Sequence, residues 1–343
     1  MISFRQGERT INLQAGDLWA ASSVGKTYRD TSAEELWAII REVENGTPWR
    51  DAVGQHYAQS NPWLHRIVTS PDRDLFFRLH HPPAGASVLD IGAGWGQISL
   101  PLARTCEVTA LEPTPERLAF IQAAAAQEQV AAKMHFIQAD FFGIEFVTKF
   151  DLVVCIGVLE WVPKFRAGDP REVQIDFLRH VRALLNPGGQ LVIGIENRLG
   201  LKYILGAPDD HIGVPGVAVF DYELASRKYE AQSGQPLRSL PHTRAELGDL
   251  LREAGLVCAE CYATFPDYKL PQVILPAGEP VDALFAKRQF VPEHEGINGR
   301  LLPFQEELQS HYRSLAAMRI ATDFAPSYFI TAQMPAGLPR DPD

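Results

Sequence analysis

Apolar residues in this chain gather in short, nearly uninterrupted runs, separated by segments with helical periodicity. That alternation builds a parallel sheet whose strands are buried on both faces by helices. Val88-Leu89 ends the first run and 97–104 reads as the helix after it. Further strands are predicted at 108–112, within 134–141 as a strand with its loop, and at 150–157, 190–195 and 257–264, the fifth following the turn Asn186-Pro-Gly-Gly189. Outside this series, Thr31-Ser32 precedes an acidic first turn with Leu36, Ile39, Ile40 and Val43 on one face, which predicts a capped helix. Pro62 opens a second helix, 72–79 forms a third, and 243–254 reads as another capped helix.

The densest local signal is Val88-Leu-Asp-Ile-Gly-Ala-Gly-Trp-Gly96, a buried strand that ends in an acid and a three-glycine turn. Gly92, Gly94 and Gly96 let the chain reverse sharply and bring its backbone closer to a ligand than a Cβ permits. A dinucleotide loop needs Gly-x-Gly-x-x-Gly, and here the third glycine comes one residue early. Asp90 places a carboxylate beside the turn, where it repels a pyrophosphate and suits a cationic amino-acid group.

The segment resembles motif I of the class I S-adenosylmethionine-dependent methyltransferases, and the likeness continues downstream in the family's order. The resemblance implies a Rossmann-like α/β sheet of seven strands, the last antiparallel, and S-adenosylmethionine as cofactor. Asp90 and the three glycines then hold the cofactor, and Glu112 holds the ribose hydroxyls, since a carboxylate accepts two bonds from a vicinal diol. Asp140 and Phe141 match the acid and apolar side chain that the family places at the adenine, and Gly157 completes the cofactor set. Asp140 also reads as a plain helix cap. Two other classes use such a sheet: a nicotinamide oxidoreductase and a non-catalytic cofactor-binding scaffold.

The organisation implied is a helical N-terminal extension over 1–85, a cofactor-binding core over 86–266 and a C-terminal insertion with the final strand over 267–343. After the fifth strand the core is interrupted by 198–241, rich in Gly, Pro and Asp, which leaves the carboxyl edge of the sheet and is read as an acceptor loop. Two apolar runs, Gln272-Val-Ile-Leu and Tyr328-Phe-Ile-Thr-Ala, compete for the last strand, and the second is favoured. A helix is expected over 303–320, and 335–343 reads as a Pro-rich disordered tail.

With 343 residues the chain is long enough for a core domain with additions. Its net charge of −10 argues against a nucleic-acid substrate. No apolar run reaches the roughly 20 residues of a membrane helix, so a cytoplasmic enzyme without a membrane span is expected. Cys258 and Cys261 have Cys-x-x-Cys spacing, but a strand sends them to opposite faces and no second pair completes a zinc site, so no metal is expected. The oligomeric state stays open.

Methyl transfer from a sulfonium requires alignment of nucleophile, methyl and sulfur, and a hydroxyl acceptor benefits from a positioned base. The fourth strand runs into Cys155-Ile-Gly-Val-Leu-Glu160, without the Asn/Asp-Pro-Pro-aromatic signature of methyltransferases acting on amide or base nitrogens, which favours oxygen. Ile195-Glu-Asn-Arg-Leu-Gly-Leu-Lys-Tyr203, Asp209-Asp210-His211 and Phe265-Pro-Asp-Tyr-Lys-Leu-Pro271 look like a bacterial methyltransferase group linked to polysaccharide synthesis. The acceptor expected is therefore a sugar or glycan hydroxyl, with a hydroxylated small molecule as alternative. His211, assisted by Asp210, is the expected base and Glu196 its reserve. Glu196 and Asn197 also read as a cap, Asp210-His211 as a solvated loop pair, and Tyr268 and Lys269 as either glycan contacts or loop anchors.

Overall fold

The computed structural model describes residues 1–25, 27–287, 292–296 and 299–335. The chain forms two compact units, one of Met1–Cys155 with Ala183–Leu191 and the other of Ile156–Arg182 with Val192–Asp343.

The first unit begins with strands β1 (Ile2–Gln6), β2 (Arg9–Leu13) and β3 (Leu18–Ala20), so the extension is not wholly helical. The apolar alternation there is short and interrupted, which hides it from a periodicity search. The cofactor-type strands follow: β4 (Ser87–Ile91), β5 (Glu107–Leu111), β6 (Met134–Gln138), the two-residue β7 (Glu145–Phe146) and β8 (Phe150–Ile156). β9 (Leu185–Glu196) supplies its first half to this unit. The order is β9-β8-β4-β5-β6-β3, and the pairings of β4 with β5 and β8, and of β6 with β5 and β3, are parallel. β2, β1 and β7 form a separate small sheet.

The expected extension helices are present as Ala33–Glu44, Pro62–Thr69 and Leu75–Leu79, the first capped by the Ser32 side chain on Glu35 N–H. A fourth, Trp49–Tyr57, was not legible because its buried face, Trp49, Ala52, Val53 and Tyr57, is interrupted by polar residues. It packs on helix Pro115–Gln127, with the Trp49 and Phe120 rings edge to face at 5.9 Å. The helix expected over 97–104 is only Ser99–Leu102, after which the chain tightens into turns with Arg104 N–H on Pro101 O and Thr105 N–H on Leu102 O.

The second unit holds the rest of β9 with β10 (Val257–Phe265), β11 (Val273–Pro276) and β12 (Ser327–Gln333), in the order β11-β10-β12-β9. β10 is antiparallel to both β11 and β12. The favoured run is thus the strand beside the sixth predicted one, and its competitor is a strand as well. Seven strands fill the expected places, and β3 and β11 are additions. A bulge between Cys258 and Glu260 breaks the alternation assumed for the two thiols, and none of the four cysteines is joined in a disulfide.

The segment 198–241 is more ordered than its composition suggests. It carries Leu201–Ile204 and a full helix, Tyr222–Ser233, capped by Asp221 and ended by Gly234 in the left-handed region. That helix buries only Ala225, against Val217 and Leu237, so its sequence shows no apolar stripe. Helix Arg244–Glu253 starts with a full capping box between Thr243 and Glu246. Helices Glu279–Ala286 and Gln305–Ala317 pack through stacked Phe285 and Tyr312 rings at 4.4 Å. Residues 336–343, most of the expected disordered tail, lie outside the described residues.

Candidate functional site

In the first unit, Gly92, Gly94 and Gly96 all have positive φ, of 70°, 58° and 79°. They do different work. A Cβ on Gly96 would press on Ile121 at 3.2 Å and Leu100 at 3.3 Å, so this glycine lets the turn pack on its helix. A Cβ on Gly94 would meet Gln97 Oε1 at 3.5 Å and Gly92 O at 3.8 Å, ordinary contact distances, so it is the positive φ rather than crowding by the protein that calls for glycine here.

Glu112 is buried and its carboxylate is tied to that turn. Oε2 accepts from Gly94 N–H at 2.9 Å and Oε1 from Thr114 N–H at 2.9 Å. Each oxygen keeps a second lone pair for a hydroxyl donor. Asp90, also buried, accepts from Ser99 Oγ–H at 2.6 Å. Burial pushes its carboxyl up to about 6; the Ser99 bond opposes this and the nearby Glu112 charge adds to it.

Sequence reasoning missed the contribution of the extension. Asp30 accepts from Trp95 Nε1–H at 3.1 Å and pairs with Arg117 at 2.8 Å, while Arg117 stands 4.0 Å from Glu112. Arg29 pairs with Glu116. Trp95 is itself buried against Phe120 and Tyr57, at ring separations of 5.0 and 6.2 Å. Nothing in the spacing of Asp30, Trp95 and Arg117 marks them as partners.

Asp140 caps the turn Phe141–Gly143, its Oδ1 accepting from Phe142 N–H at 2.9 Å, and Phe141 is half-buried beside it. The cap reading therefore accounts for one Asp140 oxygen. In the second unit, Gly157 N–H bonds to Gly194 O at 2.8 Å, and its Cβ would fall 2.6 Å from the Tyr268 hydroxyl. Here the close approach that requires glycine is to a side chain of the protein.

The second unit also assembles a buried charge cluster. Glu196, at the end of β9, contacts Lys269 Nζ through Oε1 and His211 Nε2 through Oε2, the latter at 3.1 Å. Glu160 lies 3.5 Å from the same Nε2, and Asp209 lies 3.4 Å from His211 Nδ1. Lys202 reaches Asp210 at 2.8 Å and Asp267 at 3.6 Å, while Lys269 reaches Asp210 at 3.3 Å and Asp267 at 3.4 Å. Trp161 meets the His211 ring edge-on at 5.0 Å.

This geometry corrects the expected pairing: Asp210 serves the two lysines, and the carboxylates on the imidazole are Asp209, Glu160 and Glu196. One residue of shift decides it, because Asp209 turns its Oδ1 back to His211 N–H at 2.8 Å. Burial alone would lower the His211 pKa, but Glu196, Asp209 and Glu160 together hold it well above the usual imidazole range. Burial likewise would raise Glu196, yet Lys269 and His211 hold it well below its ordinary value. For Glu160 burial prevails over His211 and the carboxyl is pushed up. A protonated imidazole accepts no proton, so His211 in this state is not a free base. Asn197 is structural: Nδ2 donates to Asp323 O, Ala325 O and Tyr328 Oη at 2.9, 2.8 and 3.1 Å. Glu160 and Asp209 went unread because their role depends on chain segments far apart in sequence.

Residues 89–191 match the family model described as a methyltransferase domain. Among curated proteins, the ubiquinone biosynthesis O-methyltransferase of Xanthomonas axonopodis pv. citri is 32% identical over 158 residues, covering 46% of this chain and 59% of that protein. The enzyme of the same name from Xylella fastidiosa is 28% identical over 187 residues, 54% of this chain and 67% of its own length. The chain thus spans between 48% and 67% of these and a third such relative, from Xanthomonas oryzae pv. oryzae. Among solved structures, the CcbJ methyltransferase from Streptomyces caelestis aligns with TM-score 0.45 at 16% identity, over 78% of this chain and 96% of that one. The fold is the Rossmann-like α/β fold of the class I methyltransferases. Its segment 89–191, which carries the glycine turn and Glu112, is the part that matches the methyltransferase-domain model.

Proposed function

We propose that this protein binds S-adenosylmethionine and transfers its methyl group to a hydroxyl oxygen of a small molecule. The observation that carries the reading is the positive-φ glycine turn tied through Gly94 N–H to a buried Glu112 with spare acceptor capacity, inside the segment that matches a methyltransferase domain. Gly92, Gly94 and Gly96 admit the cofactor, Glu112 takes its ribose hydroxyls, and Asp90, Asp140 and Phe141 contribute to its seat. When bound, the cofactor supplies an electrophilic methyl on a sulfonium, so the leaving sulfur needs no acid.

The name shared by the curated relatives supports oxygen as the acceptor atom. Glu160, Glu196 and His211 are the groups we assign to the acceptor's hydroxyl, with Asp210 as a positioning residue that holds Lys202 and Lys269. The sugar or glycan acceptor favoured by the sequence resemblance is a narrower version of the same reaction.

Calorimetry with S-adenosylmethionine, S-adenosylhomocysteine and NAD separates the methyltransferase from an oxidoreductase; NAD binding without response to the other two overturns the reading. Mass spectrometry with methyl-labelled cofactor and a panel of phenols, sugars and glycans then identifies the acceptor. Label on a small-molecule oxygen is expected, label on a glycan oxygen establishes the narrower version, and label on nitrogen or carbon removes O-methylation. His211→Ala, which removes the charged ring that holds the Glu160 and Glu196 carboxylates in place, lowers kcat by about 10²-fold through misplacement of the acceptor, with cofactor affinity unchanged.

A further inference from the structure

We propose that Glu160, Glu196 and His211 bind a divalent metal ion. One ligand atom from each of the three lies within 4.8 Å of the others. The two contacts to His211 Nε2 are 3.1 and 3.5 Å. A cation with bonds of about 2.0–2.2 Å spaces its ligands roughly 3.0 Å apart at octahedral and 3.4 Å at tetrahedral angles, so these atoms already stand at ligand spacing.

Their hydrogen bonding points the same way. Both Glu160 oxygens and Glu196 Oε2 are buried without a hydrogen-bond partner, and the Glu160 side chain is 0% exposed. In the metal-free chain the protonated His211 ring is the only cation facing these oxygens among the described contacts, and a dication that displaces its Nε2 proton would meet both carboxylates directly. On the far side of the imidazole, Asp209 Oδ1 faces His211 Nδ1 at 3.4 Å, the carboxylate–histidine arrangement that orients a metal-bound ring.

The neighbouring acidic group, Glu196, Asp210 and Asp267, carries no such assignment, because Lys202 and Lys269 already insert their ammonium groups among its oxygens. Around the whole cluster, the carboxylates of Glu160, Glu196, Asp209, Asp210 and Asp267 face two lysines and one histidine. A dication relieves that excess of negative charge. Two carboxylates with one imidazole suit Mn²⁺, Fe²⁺ or Zn²⁺. The remaining coordination positions would take water or, if the O-methyltransferase reading holds, the acceptor oxygen, whose proton a metal makes more acidic.

The test uses the full chain stripped with a chelator, without cofactor or acceptor, so it stands or falls separately from the methyl-transfer reading. Titration with Mn²⁺ alone, followed by the loss of the free-ion electron paramagnetic resonance signal, is expected to show one ion per chain, displaced by Zn²⁺. Mn²⁺ should also quench Trp161, whose ring lies 5.0 Å from His211. Asp209→Asn weakens binding by about 10–100-fold, and Glu160→Gln or His211→Asn by more. Circular dichroism checks that each variant folds; if one does not, the other ligand variant and the wild-type titration decide. No Mn²⁺ or Zn²⁺ binding by the wild type at millimolar concentration, or unchanged affinity in folded ligand variants, overturns the proposal.

Discussion

Asp90 carries an electrostatic cost in the folded state that an amide would remove. Its pKa, about 6 against the ordinary 3.8, is raised by burial, so folding favours the protonated carboxyl. The stability this group contributes is complete below about pH 4 and is lost as the pH rises through 6. Asp90→Asn, which keeps an acceptor for Ser99, is therefore expected to be more stable than the parent at pH 7.5 by roughly 2–3 kcal/mol, with the gap closing near pH 4. Urea denaturation at the two pH values measures it. At Gly94 the proposed cofactor seat is the concern: Gly94→Val places a branched side chain beside Gln97 and at positive φ, costing about 1–2 kcal/mol of stability. Titration calorimetry should show S-adenosylmethionine affinity lost while circular dichroism shows the fold retained. Normal binding by that variant would remove the turn from the cofactor site.

At the scale of elements, the structure rests its site residues on well-capped helices and strand ends. Helix Arg244–Glu253 begins at Thr243, whose Oγ1 accepts from Glu246 N–H at 3.2 Å while Glu246 Oε2 accepts from Thr243 N–H at 2.8 Å. Arg198, two residues after Glu196, grips the same Glu246 carboxylate at 2.6 and 2.7 Å, so the cap also steadies the exit from β9. Thr243→Ala should destabilise the protein by about 1 kcal/mol in thermal denaturation. Gln174, buried in helix Pro170–Leu184, plays a similar part by donating to Leu159 O at 2.9 Å and Leu240 O at 3.0 Å, next to Glu160. The chain section carrying Glu160 is thus fixed from a helix as well as by its own turn, where Trp161 N–H donates to Val158 O at 2.8 Å.

At the scale of the whole molecule, ligand binding should appear as added stability. A saturating ligand at 100 times its Kd contributes about 2.7 kcal/mol, which for a chain of this length raises Tm by about 4 °C. Differential scanning calorimetry is expected to show that rise with S-adenosylhomocysteine and none with NAD. The reverse pattern would favour the oxidoreductase. Among the described residues no helix is long and apolar enough to cross a membrane.

The sheet and its glycine turn were legible in the sequence because their signals are local. Buried parallel strands must be apolar along their length, and a turn with three positive φ values must spend glycines at fixed positions. The same locality made the Ser32 and Thr243 caps readable. Polar helix Tyr222–Ser233 and the opening strands were not, since neither buries a regular apolar stripe. The charge cluster lay further out of reach. Asp210 stands beside His211 in sequence, yet backbone direction sends it to Lys202 and Lys269, while Glu160 and Glu196 arrive at the imidazole from distant segments. Electrostatic partnership depends on distances of a few ångströms, and for residues brought together from separate segments only the folded chain sets those distances.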